Sequence, residues 1–583
     1  MKLNNNTGSR AAHPTHHSST RSSNPLQFIL LAIATFICMG SFAQDNPLFR
    51  NIPPTANAVY QVNIPAITAK LSWSEIMGNI PPAKLMTPRD ESFMNMLKDP
   101  AKSGIDIGKD IFMAEDKSDP WDSISTTTII LHLQDSGRFI AYMRTQEPGL
   151  RIYPIPNKGK VRTAGKEKMG LAWNKELAVL VFVKPSGREE FDKQKHYQGG
   201  NIDPNGAIVP PAGKPRPAMQ APNYTLIAVR RGLLAINGFD NSFYSTDPTF
   251  KAGFSDDADI HIWTEKGKGL SFLLNTLLKS RAPLQSLLQG GGGTLAGASA
   301  SGSKTLTSIR FEAGSVIMKS SNILTPEAAS FAAKMSSRPL NTDLVAGIPK
   351  GSLLGLINLH FDPTVIDDML DKAGIRSKID SMLATKNLRL DTILHAFKGD
   401  FQLAVMEPEM SDSSQKPKVP FYVAITINDL SSFAKITSFI RAVKDSAGVD
   451  SSTGASRSPF GKMKIASTLQ GNLLVVSSTK EYTDGWFSNT EKRNTGFLTD
   501  RMKGGAVTVL VDFRTLAHFV EGMSKGKDPS GKDKKVLDLI HMLDRLTITG
   551  GAVKDGKAET VVELQLTDPS ANSLVQLFRI LHM

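Results

Sequence analysis

Ala58-Val59-Tyr60-Gln61-Val62-Asn63-Ile64 is preceded by Ile52-Pro53 and followed by a helical stretch from Ala66; later the chain runs Leu353-Leu354-Gly355-Leu356-Ile357-Asn358-Leu359, preceded by Ile348-Pro349 and followed by a helical stretch after Pro363. An apolar run of strand length with the same punctuation on either side points to a repeated unit. Working outward, further matches follow in the same order. The strand-like Ile129 to Leu133, then Gln134-Asp135 and Phe139, is echoed by Val423 to Ile427, Asn428-Asp429 and Phe433. Asp135 and Asp429 stand where helix N-caps belong, so capping accounts for them better than catalysis does.

A third match reads as a hairpin, Thr225 to Val229 and Leu233 to Ile236 around Arg230-Arg231-Gly232, against Ile465 to Thr468 and Leu473 to Val476 around Gly471. Gly253-Phe254 before Ala258 to Thr264 answers Gly496-Phe497 before Ala506 to Phe513, each leading to a leucine-bearing helix. Each copy closes with a hairpin and a Pro-initiated helix. In the first these are Leu306 to Phe311, Gly314, Ser315 to Ile323 and Thr325-Pro326; in the second, Leu546 to Thr549, Asp555-Gly556, Glu559 to Leu566 and Thr567-Asp568-Pro569.

Short β-branched strands joined by Gly-containing turns favour antiparallel hairpins over parallel crossovers. Amphipathic stretches such as Leu270 to Leu287 and Leu430 to Val443 supply covering helices. The expected fold class is therefore α+β: two tandem duplicated domains, 45–340 and 341–583, each a mainly antiparallel sheet with helices covering one face. At 583 residues the chain exceeds the ~250–300 at which one core stops growing, which agrees with more than one unit. The first copy is longer through two insertions rich in Gly, Pro, Ala and Ser, 199–223 and 290–303, which read as surface loops without regular structure.

Residues 1–43 have the layout of a secretory signal: Lys2, Arg10 and Arg21 with no acidic residue, then an apolar run from Leu26 to Phe42. Small residues at Ser41 and Ala43 place cleavage between Ala43 and Gln44. An uncleaved anchor and a lipid on Cys38 stand as alternatives, although Ile37 occupies a position where a lipoprotein signal wants a small residue. Cys38 is the only cysteine, so the processed chain forms no disulfide and offers no thiol chemistry. The net charge of +13 falls to +10 without the three basic leader residues. Lysine-rich segments 158–168 and 525–535 contribute, and they read as solvated turns. For an exported chain, nucleic acid is a poor match to this charge, and an integral membrane domain after cleavage is not expected.

The opening Ile52-Pro53, the strand ending Val62-Asn63-Ile64, its echo from Ile348 and the export signal together resemble an exported Bacteroidetes family, domain of unknown function 4836. The similarity runs over nearly the whole processed chain. It implies an envelope address, periplasmic or extracellular, with membrane association if the signal is retained. The family brings no established activity, so no catalytic residue is carried over.

The chemistry-bearing patterns are sparse. Gly297 to Thr305 has phosphate-loop glycines, but Ser303 displaces Lys304 by one place and the order runs helix to strand rather than strand to helix. Asn201, Asp203, Asn205 and Gly206 imitate a calcium loop whose twelfth position is Ala212 instead of Glu. Asp256, Asp257, Asp259 and His261 form the densest ligand-like cluster, and alternation puts Asp257, Asp259 and His261 on one strand face as candidate metal ligands. The competing reading is the polar face and entry turn of a half-buried strand. No cofactor is implied. HExxH and G-x-S-x-G are absent, which leaves an enzyme without a recognisable motif. The expectation is a non-enzymatic binding or scaffold protein with an envelope protein, glycan or lipid as partner. A carrier of an apolar ligand, held between a curved sheet and its covering helices, is the alternative; Met- and Phe-rich segments such as Phe93 to Leu97 permit it, with ordinary core packing as their plainer reading, and an envelope-polymer hydrolase is a third.

Overall fold

The computed structural model describes residues 46–582 apart from 79–92, 118–123, 154–160, 186–200, 203–207, 210–222, 266–303, 349–351, 410–418, 447–464, 489–498, 525–531 and a few single positions. The expected signal segment with Ala43, Gln44 and Cys38, the expected covering helix at 270–287, insertion 290–303, Gly496-Phe497 and most of insertion 199–223 lie outside the described residues.

The molecule is α+β, with a large antiparallel sheet and helices. Strands of the first half are β1 (Ala58–Val62), β2 (Ile111–Lys117), β3 (Ile124–His132), β4 (Arg151–Ile152), β5 (Arg162–Lys166), β6 (Met169–Trp173), β7 (Leu177–Pro185), β8 (Asn201–Ile202), β9 (Ile208–Val209), β10 (Ile260–Thr264), β11 (Lys304–Glu312) and β12 (Ser315–Ile323). Those of the second are β13 (Leu353–His360), β14 (Phe397–Met406), β15 (Phe421–Ile427), β16 (Ala466–Gln470), β17 (Leu473–Ser477), β18 (Gly505–Asp512), β19 (Leu543–Gly551) and β20 (Lys557–Leu566). Among the described residues the first half pairs in the order β6-β7-β3-β2-β1-β10-β11-β12, with β5 and β4 added outside β6. The second pairs in the order β16-β17-β15-β14-β13-β18-β19-β20.

The two halves share one sheet. β12 lies antiparallel to β20 from Ser315 opposite Gln565 to Ile323 opposite Lys557, and residues 47–583 form a single unit. Backbone bonds close the junction reciprocally: Leu566 N–H donates to Gly314 O at 2.8 Å, and Leu324 N–H donates to Gly556 O at 2.9 Å.

The helices that position side chains of interest are α1 (Ile64–Lys70), α2 (Ser136–Gln146), α3 (Tyr224–Asn237), α4 (Pro326–Met335), α5 (Leu430–Ser446), α6 (Lys480–Ser488), α7 (Phe513–Ser524), α8 (Lys532–His541) and α9 (Ser573–His582). Asp135 caps α2, accepting from Gly137 N at 2.8 Å and Arg138 N at 3.0 Å. Asp429 does the same for Ser431 N at 3.0 Å and Ser432 N at 3.2 Å at the start of α5. Ile52 and Ile348 are both fully buried, each just after a short helical turn, Pro47–Asn51 and Asp343–Ala346.

Helices cover both faces of the first half's sheet, not one. Val59, Phe112, Ile130 and Val181 pack with Ala228 and Ile236 of α3, whereas Ile111, Ile129, Leu131 and Leu180 point the other way, onto Phe139 and Met143 of α2. At the junction, Leu574 and Leu577 of α9 reach across to Tyr60, Ile262, Phe311 and Met318 of the first half. In return, Ser336 at the end of α4 accepts from Val553 N at 3.2 Å in the second.

Several expectations are corrected. Thr225 to Ile236 is not a hairpin but helix α3: its buried residues Ala228, Val229, Gly232, Ala235 and Ile236 recur at three- and four-residue intervals. Asn223 caps it, accepting from Leu226 N at 3.0 Å. The strand partners at the place of β16-β17 are instead β6 and β7. The helix after Pro569 starts only at Ser573, because Asp568 closes a turn onto Ser570 N and Ala571 N and Asn572 supplies the cap to Leu574 N at 2.9 Å. Insertion 199–223 does hold regular structure, the two-residue ribbon of β8 and β9. Arg162–Lys166, within a lysine-rich segment read as a turn, is strand β5; the turn proper is at Glu167-Lys168.

Candidate functional site

Two places correspond to candidates raised by the sequence. The first is the polar entry to β10, where the sequence placed candidate ligands. Asp259 and His261 are fully buried, but the structure sends the candidate side chains to different partners. Asp259 accepts from Lys70 Nζ of α1 at 2.9 Å and from the backbone N–H of Phe311 in β11 at 2.6 Å. Lys70 also reaches Glu312 at 3.3 Å. Partial burial pulls its pKa down, yet the hydrogen bonds and charges of Asp259 and Glu312 outweigh that and hold it above the ordinary lysine value. His261 Nε2 lies 2.5 Å from Asp256 Oδ1, and its ring leans on Phe254 with centroids 5.3 Å apart. The bond from His261, with help from the Ala258 N–H and Arg310, keeps Asp256 below the usual carboxylate range. Asp257 turns outward, 89% exposed, to meet Arg310 at 2.7 Å. Among the described residues no three metal-ligating side chains converge. What the cluster does physically is tie α1, β10 and β11 together at the end of the sheet.

The second place lies between α2 and the face of β6-β7 that it covers. A cavity of about 30 Å³ opens there, bounded by Met96, Met143, Met169, Leu180, Phe93 and Phe182. Met96 and Leu97 belong to the Phe93 to Leu97 segment singled out from sequence, and both are buried. The exposed Gln146 and the half-buried Glu147 form the mouth, and Glu147 pairs with Lys166 of β5 at 3.1 Å. Tyr142, also on the wall, has its hydroxyl pKa raised by burial and then by the charge of Asp99.

One buried pair escaped the sequence reading. His360 Nδ1 on β13 lies 2.7 Å from Asp400 Oδ1 on β14, and both side chains are buried. The residues stand far apart in the chain and become neighbours only through the cross-strand register, His360 opposite Asp400, so no spacing motif announces them.

No family model matches the chain, and no curated protein matches it either. Among solved structures it is similar to crystal forms of TP0453. Form III is 8% identical with a TM-score of 0.25, covering 51% of this chain and 90% of that one. Form I is 9% identical with a TM-score of 0.24, covering 51% and 88%.

Proposed function

We propose that this chain is an exported, non-enzymatic binding or scaffold protein of the cell envelope, built from two tandem duplicated α+β units. Membership of the exported family it resembles in sequence belongs to the same proposal. The observation that carries it is the coincidence of strand order in the two halves, β6-β7-β3-β2-β1-β10-β11-β12 against β16-β17-β15-β14-β13-β18-β19-β20, with last strands β12 and β20 joined edge to edge. A pairing that merges two sheets hides the edges on which each would otherwise aggregate and yields one extended surface from a small unit. The chemistry agrees, since the ionisable cluster at the entry to β10 is spent on holding elements together. The test is affinity capture by the processed chain from envelope extract, followed by reconstitution with purified components. A protein or glycan that binds stoichiometrically in both is the expected result; no partner surviving reconstitution counts against the reading.

A second reading, a carrier for an apolar ligand, is favoured by the cavity at the segment 93–97. Lipid extraction of the protein purified from its native host tests it, with stoichiometric lipid expected and empty protein against it.

A further inference from the structure

We propose that the space between α2 and β6-β7 takes the tail of a single-chain amphiphile, with its small polar head at the mouth formed by Gln146, Glu147 and Lys166; this rests on the carrier reading. Three observations lead there. The walls are apolar and the mouth is polar and charged, which is the polarity of an amphiphile and not of a wholly apolar solute. Met96, Met143 and Met169 face the space together, and unbranched thioethers re-pack around a guest where branched side chains would resist. At about 30 Å³ the cavity as it stands has room for a water or a methyl group, so the tail enters by displacing these methionines.

The molecule also contains its own comparison. In the second half, α5 takes the place of α2, and β16 and β17 take the places of β6 and β7. None of those three elements carries a methionine. The methionines that α2 and β6 carry therefore have no counterpart in those three elements of the second half.

The experiment uses the full processed chain and three twelve-carbon probes below their micelle concentrations: dodecanoate, dodecyltrimethylammonium and dodecyl maltoside. Calorimetric titration is expected to show saturable one-to-one binding of at least one probe, and the preferred head charge reports whether Lys166 or Glu147 receives it. Met143→Phe and Met169→Phe, which fill the space, are expected to weaken that binding by about tenfold or more, the loss from excluding roughly two methylenes. Met143→Leu serves as the volume-conserving control. Should either filled variant fail to fold, dodecanoate with a diazirine on its terminal carbon maps the site in the unaltered chain. Labelling of peptides bearing Met96, Met143 or Met169 supports the proposal. Labelling elsewhere, or binding indifferent to the filled variants, overturns this site but leaves the carrier reading standing; no saturable binding of any probe overturns both.

Discussion

Asp429 is held down to about 2 by hydrogen bonds from Ser432 and then Ser431. A carboxylate with its folded pKa depressed below the unfolded value of about 3.9 contributes stability that is present above that value and is lost as pH falls through the folded one. Asp135, lowered by the Arg138 and Gly137 N–H groups against slight desolvation, adds in the same direction. Urea midpoints are therefore expected to drop between about pH 4 and pH 2, and Asp429→Asn to flatten part of that drop while retaining the cap at neutral pH; an unchanged slope would remove the residue from the account. Lys70 works the other way. Its folded pKa is raised, so its contribution is full below the unfolded value of about 10.4 and is lost as pH rises through the folded one. Lys70→Met leaves the buried Asp259 carboxylate with the Phe311 N–H alone, and should cost about 1–3 kcal/mol in urea unfolding. Adding Asp259→Asn should recover part of it, because the uncompensated charge is then gone.

At the scale of elements, α3 shows where sequence patterning and structure parted. Thr225 to Val229 is β-branched enough to read as a strand, and Gly232 invites a turn. What decides is the period of the buried positions and the surface waiting for them. β5 and β6 present Gly165, Gly170 and Ala172 to the helix, and a Cβ on Gly170 would meet the backbone of Ala228 and Val229. Such a track of small residues lets α3 lie close on the sheet, and it is invisible until β5 and β6 are known to neighbour each other. Gly170→Ala should push the helix off and cost about 1–3 kcal/mol, measured by thermal or urea unfolding; a neutral outcome would mean that α3 is not closely seated. By contrast, Asp135, Asp429, Gly314 and Thr325 were legible because caps and turns are written within a few residues. The candidate trio Asp257, Asp259 and His261 shows the same limit: Arg310 and Lys70 arrive from elsewhere in the chain to take Asp257 and Asp259, while His261 turns to its near neighbour Asp256.

At the scale of the whole molecule, the α+β class and the antiparallel sheet were readable from short strands and Gly-containing turns, whereas the joint was not, since nothing local in Ser315–Ile323 states that its partner is Lys557–Leu566. The joint nevertheless governs how the protein should unfold. Each half's closing helix makes contacts beyond its own half: α9 covers Tyr60, Phe311 and Met318, and Asn572 donates to Phe311 O at 2.9 Å. Gly314 is central, with φ at +66°, its N–H bonded to Ala571 O at 2.9 Å and no room for a Cβ beside Pro569. Halves that merely stood side by side would melt as two transitions. Halves that complete one another's cores should melt as one, so a single calorimetric peak with equal calorimetric and van't Hoff enthalpies is expected for residues 44–583. Gly314→Ala combines strain at positive φ with a clash against Pro569 and should lower that peak by about 1–3 kcal/mol of stability or split it. A peak already split in the unaltered chain would show that the joint is adhesive rather than structural, and the two halves would then be free to differ in stability.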